Sequence, residues 1–265
     1  MKPYLLIFID GLGIPPEKNN FLYNYSGIKK LLENSIPIDA VMGVEGRPQS
    51  GTGQTSLFCG VNAQKIINRH HYAYPDSKLR KIIKEQNIFK KSKEKGKKVC
   101  FANAYSGNYF KNTKLRRSVT TWMNCYSNST FLLEEDLVEG NAVFHDITNQ
   151  TYPFSSNKLI ITPLKAAENL MKISQNFDLT VYEYFITDRI GHGKISEEHL
   201  NILSDFLDYI MIDSEEKINL IITSDHGNIE DKTTKQHTLN KIPLYLNFKV
   251  EKHIKSLSEV AEIIL

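Results

Sequence analysis

Residues of the types that bind metal ions stand at the ends of several apolar runs in this sequence. They are Asp10 after YLLIFI, Asp188 and His192 after LTVYEYFI, Asp225 and His226 after INLIIT, and His237 just before PLYLNF. Taken singly, each has an ordinary structural explanation, such as a turn residue for Asp10. Their shared position at strand ends, however, predicts a site of three carboxylates and three imidazoles at one edge of a sheet.

The charge of this predicted site indicates how many metal ions it needs. Three carboxylates close together raise one another's pKa unless cations separate them. One divalent ion would leave the cluster negative and hostile to a phosphate dianion, whereas two would leave it with one positive charge. Paired ions suit in-line displacement at phosphorus, and mixed Asp and His ligands suit zinc or manganese better than calcium or magnesium. We therefore expect two divalent metal ions (Zn or Mn) and a small-molecule phosphate ester as substrate.

The stretch QSGTGQTSLFCG, residues 49–60, supplies candidate nucleophiles. Its four hydroxyls belong to Ser50, Thr52, Thr55 and Ser56. Ser50 precedes the glycines, where a helix N-terminus would present free N–H groups and a positive dipole end to phosphate. Thr55 and Ser56 lie further into a helix predicted over 55–60, where hydrogen bonding to the backbone is expected. We expect the two loop glycines to let phosphate approach the backbone. A P-loop is excluded because no Lys precedes the Thr-Ser pair.

The elements that must position these residues can be predicted from the apolar pattern. Buried strands are indicated at YLLIFI (4–9), VCFANAY (99–105), LTVYEYFI (179–186), INLIIT (218–223) and PLYLNF (243–248). Runs that are apolar on both faces are typical of a parallel sheet covered by helices. Between these strands, apolar residues at helical spacing predict helices from Pro163 to about Gln175 and from about Glu197 to Met211. Ser196 is expected to cap the second helix. The pattern predicts an α/β three-layer sandwich with a mostly parallel central sheet.

In the middle of the chain, the apolar residues follow neither helical nor strand periodicity. Residues 106–155 are rich in Asn, Ser, Thr and Tyr, and we interpret them as a small cap or insertion within a single domain that spans residues 1–265. The run KKSKEKGKK (90–98) is expected to be a solvated helix end and turn.

Composition excludes several classes of protein. A balance of 33 basic against 30 acidic side chains argues against nucleic acid or an acidic membrane surface as a partner. Three cysteines without paired spacing indicate neither a disulfide framework nor a thiolate zinc site. No apolar run approaches the roughly 18 residues of a membrane span. We expect a protein of the reducing cytoplasm, and the sequence does not indicate its oligomeric state.

The order and spacing of the ligand-type residues and of the candidate nucleophiles resemble those of the alkaline phosphatase superfamily. The resemblance is greatest to its cofactor-independent phosphoglycerate mutases and phosphopentomutases. The resemblance covers roughly residues 1–75 and 180–250 and implies an alkaline-phosphatase-like fold. It implies one metal bound by Asp188, His192 and His237, and a second bound by Asp10, Asp225, His226 and the nucleophile. In this family the nucleophile stands ten residues before a glycine, here Gly60, which implies Ser50. The sulfatase branch is disfavoured because no Pro-x-Arg follows the nucleophile.

The middle of the chain departs from these mutases, in which a large inserted domain carries many cationic side chains. About 127 residues lie between Gly60 and Asp188, and the chain has six arginines. We therefore favour a phosphomonoesterase-type hydrolase with a phosphoserine intermediate over a phosphomutase. A phosphodiesterase is a further alternative, for which Trp122, Tyr105 and Tyr109 could supply an apolar slot. The complete ligand set argues against a non-catalytic metal-binding protein.

Four residues are candidates for substrate binding. Arg189, inside TDRIGH, is the best-placed arginine to clamp a phosphate or carboxylate, and its alternative role is a surface ion pair. Arg69 and His70, in NRHHYAYP, are expected to reach the rim of the site. Thr52 is expected to donate a hydrogen bond to the phosphate.

Overall fold

A six-stranded sheet forms the centre of the protein. The computed structural model describes residues 2–155 and 157–265. The strands are β1 (Tyr4–Ile9), β2 (Ile36–Ile38), β3 (Val99–Phe101), β4 (Leu179–Tyr184), β5 (Asn219–Thr223) and β6 (Ile242–Leu246). Their spatial order is β2-β6-β5-β1-β4-β3, with β6 antiparallel to both of its neighbours and the other pairings parallel. The predicted fold class, a mostly parallel α/β sheet, is confirmed.

Helices occupy the connections between the strands. They are α1 (Ser26–Glu33), α2 (Ser50–Cys59), α3 (Ala63–Ile67), α4 (Ser77–Gln86), α5 (Ile88–Glu94), α6 (Gly107–Lys111), α7 (Val119–Tyr126), α8 (Glu134–Val138), α9 (Pro163–Ser174), α10 (Ile186–Gly191), α11 (His199–Asp213) and α12 (Val260–Ile264). Short 3-10 helices cover Phe21–Asn24 and Leu257–Glu259. Within the described ranges, no helix combines the length and apolar character that crossing a bilayer requires.

Side chains of β1 point alternately to the two faces of the sheet, and each face is covered by a layer of helices. Leu5, Ile7 and Ile9 point to one face of the sheet, into a core completed by α1, α9 and α11. Leu6 and Phe8 point to the other face, into a core completed by α2, α4, α5, α7 and α12. Because both faces are covered, the strand has no polar side, which is why its sequence reads as a continuous apolar run.

Several element boundaries differ from the predicted ones. The third strand ends at Phe101, and Asn103 and Ala104 form isolated bridges to Val143 and Leu132 instead of continuing it. The helix predicted over 55–60 begins five residues earlier, at Ser50. The second long helix begins at His199, and Ser196 accepts a hydrogen bond from the N–H of Glu198 instead of capping the helix. The basic run forms the end of α5 and a turn, as predicted.

The middle segment consists of short helices and loops. It contains α6, α7 and α8, and its described residues form a small apolar cluster that includes Leu137, Phe144 and Tyr152. The stretch FLLEEDLVEGNAVFHDIT, residues 131–148, forms α8 and two single bridges. The cysteine thiols at positions 59, 100 and 125 are free, in line with the predicted absence of a disulfide framework.

Candidate metal centre and nucleophile

One edge of the sheet gathers the predicted ligands. Asp10 directly follows β1, and Asp225 and His226 follow β5 after one residue. Asp188 lies in the first turn of α10, immediately beyond β4. His237 precedes its strand, yet it reaches the same edge because β6 runs antiparallel to its neighbours. The start of an antiparallel strand therefore meets the carboxyl ends of the parallel strands.

The first ligand cluster consists of Asp188, His192 and His237. The Nε2 atoms of His192 and His237 lie 3.3 Å and 3.4 Å from Asp188 Oδ1. Asp188 and His192 share a face of α10, because the N–H of His192 closes a helical turn on the Asp188 carbonyl. Asn228 donates to Asp188 Oδ1 at 2.7 Å and so fixes the orientation of the carboxylate.

The second ligand cluster consists of Asp10, Asp225 and His226, all buried. His226 Nε2 lies 3.2 Å from Asp10 Oδ1 and 3.5 Å from Asp225 Oδ2. Ser50 Oγ lies 3.0 Å from the same nitrogen. The other ring nitrogen, Nδ1, lies 3.3 Å from the Gly227 carbonyl. The hydroxyl of Ser50 therefore belongs to the same cluster as the three ligand-type side chains.

The orientation of the histidines fits metal binding in the first cluster. His192 Nδ1 lies 2.7 Å from the Lys235 carbonyl, and His237 Nδ1 lies 2.8 Å from the Pro48 carbonyl. A carbonyl only accepts, so both Nδ1 atoms carry the proton. In the neutral rings, both Nε2 lone pairs then face each other across 3.3 Å. Such a contact is favourable only with a cation between the two nitrogens, either a proton or a metal ion.

The electrostatics of Asp10 and Asp188 also call for cations. Burial, and then the charges of Asp225 and Asp188, raise the pKa of Asp10 well above its usual range, and its buried Oδ1 makes no hydrogen bond to a described residue. Burial would likewise raise the pKa of Asp188, but a proton on His237 Nε2 that is shared with the carboxylate, together with the positive charge of a protonated His226, outweighs burial and lowers that pKa. A cation beside Asp188 is thus what keeps this carboxyl ionised. The donor set of carboxylates and imidazoles is the set that borderline divalent ions take.

The helix α2 brings Ser50 to the cluster by close packing. A Cβ at Gly53 would lie 2.8 Å from the Asp225 carbonyl oxygen, and one at Gly51 would lie 2.6 Å from the Tyr72 carbonyl oxygen. Both distances are shorter than real Cβ contacts, so glycine is required at each position. Protein backbone therefore fills the space beside each glycine that a side chain would occupy, so both are packing requirements. The N–H of Gly53 is used by the Gln49 carbonyl, and the approach of phosphate to the backbone stays a prediction for Gly51 alone.

The other hydroxyls of α2 bond to the protein backbone. Thr55 and Ser56 donate to carbonyls one turn earlier, at 2.6 Å and 2.9 Å, as predicted. Thr52 is fully buried, and its hydroxyl donates to the Gln49 carbonyl and accepts from the His71 N–H. These bonds use the Thr52 hydroxyl within the protein, so we assign it no contact with phosphate.

Gln54 was missed by sequence reasoning, although it touches both carboxylates of the second cluster. Its Nε2 donates to Asp10 Oδ2 at 3.1 Å and to Asp225 Oδ2 at 3.3 Å. The available signal is its spacing, because Gln54 stands four residues after Ser50 on the same face of a helix. Gln54 holds the two carboxylates together beneath the nucleophile.

Glu183 is a second residue that sequence reasoning missed. It lies on β4, where the apolar run LTVYEYFI gave no reason to separate it from the core. Its carboxylate is buried and accepts a hydrogen bond from Thr120 at 2.6 Å. Burial raises the pKa of Glu183 to about 7 against the opposing effect of that hydrogen bond.

The predicted cationic residues lie on different sides of Ser50. A polar cavity of about 660 Å³ is lined by Ser50, Arg69, His70 and residues of the first ligand cluster. Arg69 also pairs with Asp76 at 2.8 Å, and His70 Nε2 lies 3.1 Å from the Val44 carbonyl. Arg189 is exposed and borders a different cavity, which also reaches Ser50.

Comparison with known proteins identifies the family. A family model described as the Metalloenzyme superfamily matches residues 2–262. The chain belongs to this superfamily. Its members are alkaline phosphatase-like enzymes that include phosphatases, sulfatases and mutases. The superfamily assignment agrees with divalent metals at the two ligand clusters of this metalloenzyme.

Solved structures share the fold of this metalloenzyme. The PH0037 protein from Pyrococcus horikoshii is 15% identical over 92% of this chain and 84% of its own, with a TM-score of 0.56. The alkaline phosphatase from the Antarctic bacterium TAB5 is 14% identical over 99% of this chain and 96% of its own, with a TM-score of 0.55. At such identities the similarity establishes the fold alone. No curated protein matches the sequence.

Proposed function

We propose that the protein is a metal-dependent phosphomonoesterase in which Ser50 is the nucleophile. The observation that carries the proposal is the position of its hydroxyl, 3.0 Å from His226 Nε2 at the first residue of α2. Both ligand clusters lie beside it, since Ser50 lines a cavity together with Asp188, His192 and His237. A buried serine between two clusters of metal-ligand residues is suited to phosphoryl transfer.

The N-terminus of α2 would receive the phosphate. The N–H groups of Thr52 and Gly53 donate to the carbonyls of His71 and Gln49, so they are already used. Those of Ser50 and Gly51 have no acceptor within residues 2–155 and 157–265. They remain to bind phosphate oxygens at the positive end of the helix dipole.

The transfer would proceed in two steps. The Ser50 hydroxyl loses its proton as its oxygen bonds to phosphorus, the bond from phosphorus to the ester oxygen breaks, and that oxygen takes up a proton, so that the alcohol leaves and phosphoserine remains. Water then breaks the bond between Ser50 and phosphorus and releases phosphate. Two divalent ions (Zn or Mn), held by Asp188, His192 and His237 and by Asp10, Asp225 and His226, would lower the pKa of the Ser50 hydroxyl and offset the carboxylate charge.

Two alternatives use the same nucleophile. A phosphomutase would pass the phosphoryl group from Ser50 to a substrate hydroxyl instead of water. A phosphodiesterase is favoured by one observation, namely that Ser50 lines two cavities of different character, which could hold the two substituents of a diester. Relative rates on mono- and diesters of the same alcohol distinguish the two hydrolases.

The test is turnover of a generic aryl phosphate by purified protein. We expect wild-type activity that is lost in Ser50→Ala and after chelation, and that returns when zinc or manganese is added. Thr55→Ala is the matched control, because Thr55 bonds to the backbone within the same helix. Full activity of Ser50→Ala, or its loss in Thr55→Ala alone, would overturn the assignment of the nucleophile.

A further inference from the structure

An aromatic cavity also borders Ser50. Its volume is about 510 Å³, within the range of small-molecule sites, and it reaches Asp10, Ser50 and Asp188. Its walls carry the rings of Tyr74, Tyr105, Tyr109, Phe144, His145 and Phe185. Most of these rings come from the middle segment, 106–155, and its flanks.

The rings at one wall are fixed in place by hydrogen bonds. Tyr105 and Tyr109 lie 5.0 Å apart between centroids, and each hydroxyl lies 3.1–3.3 Å from Thr121 Oγ1. Both tyrosine hydroxyls are therefore used in hydrogen bonds with the Thr121 hydroxyl. The wall that they form presents ring surface to a ligand, and the hydrogen bonds fix the orientation of the rings.

A stacked pair of rings also lines the cavity. His145 lies over Phe185 at 4.2 Å between centroids, with 25° between the ring planes. Burial, reinforced by the nearby charge of Arg189, lowers the pKa of His145 to about 4 against the opposing charge of Asp146. The imidazole is therefore uncharged at neutral pH and acts as a flat ring instead of an anion-binding cation.

The two cavities that meet at Ser50 have different chemistry. The polar cavity carries Arg47, Lys194 and Lys235, which suit anionic or hydroxyl-rich groups. The aromatic cavity has cations only at its mouth, where Arg116 and Arg189 are both exposed. A short polar acid would leave the aromatic walls without a partner, whereas a planar ring would stack on them.

We propose that the aromatic cavity binds the alcohol part of the phosphate ester and selects a planar aromatic group. This inference rests on the proposed function, since it assigns a leaving-group site to the same nucleophile. The aromatic group could belong to a simple aryl-alkyl alcohol or to a nucleoside, because both attach a flat ring to a primary ester oxygen.

The test compares substrates that differ in the ring but not in the kind of ester oxygen. We expect kcat/KM to be about tenfold or more higher for benzyl phosphate than for ethyl phosphate, because only the former buries a ring. Cyclohexylmethyl phosphate should fall between them. The ratio of kcat/KM for adenosine 5′-monophosphate to that for ribose 5-phosphate tests in the same way whether the aromatic group is that of a nucleoside.

Substitutions test whether the aromatic cavity is the source of the preference for a ring. In Tyr109→Ala the benzyl-to-ethyl ratio should fall several-fold, whereas in Tyr209→Ala it should stay at the wild-type value. Tyr209 is a suitable control because it is 41% exposed on α11 and lines neither cavity. Equal kcat/KM on all esters, or a ratio unchanged by Tyr109→Ala, would overturn the inference and leave the proposed hydrolysis intact.

Binding to Ser50→Ala separates the inference from the proposed function. Calorimetry on this variant measures affinity without turnover, and we expect benzyl phosphate to bind about tenfold more tightly than ethyl phosphate. If neither ester is hydrolysed by wild-type protein, the proposed function fails. Equal affinities of the two esters would show that the cavity does not select a ring.

Discussion

Replacing Glu183 by Gln should stabilise the metal-free protein, and the gain should depend on pH. The side chain is buried, and burial raises its pKa from the ordinary 4.5 to about 7. Glutamine keeps an oxygen that can accept the hydrogen bond from Thr120, and it carries no charge at any pH. The substitution therefore isolates the cost of ionising this carboxyl inside the fold.

The sign and size follow from proton linkage. Between pH 4.5 and about 7 the unfolded chain loses this proton while the folded chain keeps it, so wild-type stability falls as pH rises. Above that window the loss is complete. A shift from 4.5 to about 7, at roughly 1.4 kcal/mol per pKa unit, corresponds to about 3 kcal/mol. The advantage of Glu183→Gln should thus grow from near zero below pH 4.5 to about 3 kcal/mol at pH 8.5.

The assay is urea denaturation in the presence of a chelator at pH 4.5, 6 and 8.5, with the difference in unfolding free energy taken at each pH. Glu94→Gln is the matched control, because Glu94 is an exposed glutamate at the end of α5. Its difference should stay within about 0.5 kcal/mol at every pH. A pH-independent difference for Glu183→Gln, or a loss of stability at pH 8.5, would show that burial does not raise the cost of ionising Glu183.

Two further predictions concern packing and metal content. Gly53→Ala should destabilise the fold by about 1–3 kcal/mol in urea denaturation, because the new methyl group would meet the Asp225 carbonyl at 2.8 Å. Gly107→Ala, where nothing lies within 4 Å of the added carbon, should have little effect, and equal losses would contradict the packing argument. His237→Ala should halve the metal bound per chain by elemental analysis, whereas the exposed His253→Ala should bind the wild-type amount. Unchanged metal content in His237→Ala would remove this residue from the site.

The sequence was sufficient to place most ligand-type residues at the correct edge of the sheet. Asp10, Asp188 and Asp225 follow apolar runs, and parallel strands bring their ends together without further information. His237 was placed there for an incomplete reason, since a residue before a parallel strand would lie at the opposite edge. Its position depends on the antiparallel direction of β6, which no local pattern encodes.

Long-range packing explains what could not be predicted. Glu183 sits inside an apolar run, and its burial against Thr120 is visible only when β4 and α7 meet. Gly51 and Gly53 resemble phosphate-loop glycines in sequence. In the structure each is required because a side chain there would collide with a carbonyl from a distant part of the chain. The aromatic cavity likewise joins residues from distant segments. The role of residues 106–155 as a cap stays a prediction.

Trapping the covalent intermediate tests most directly whether Ser50 is the nucleophile. Protein turning over an aryl phosphate would be quenched in acid, digested and analysed by peptide mass spectrometry. We predict one phosphoryl group on Ser50 that is absent in Ser50→Ala and after chelation. A phosphoryl group on Thr55 or another residue, or steady turnover with no phosphorylated peptide, would contradict it.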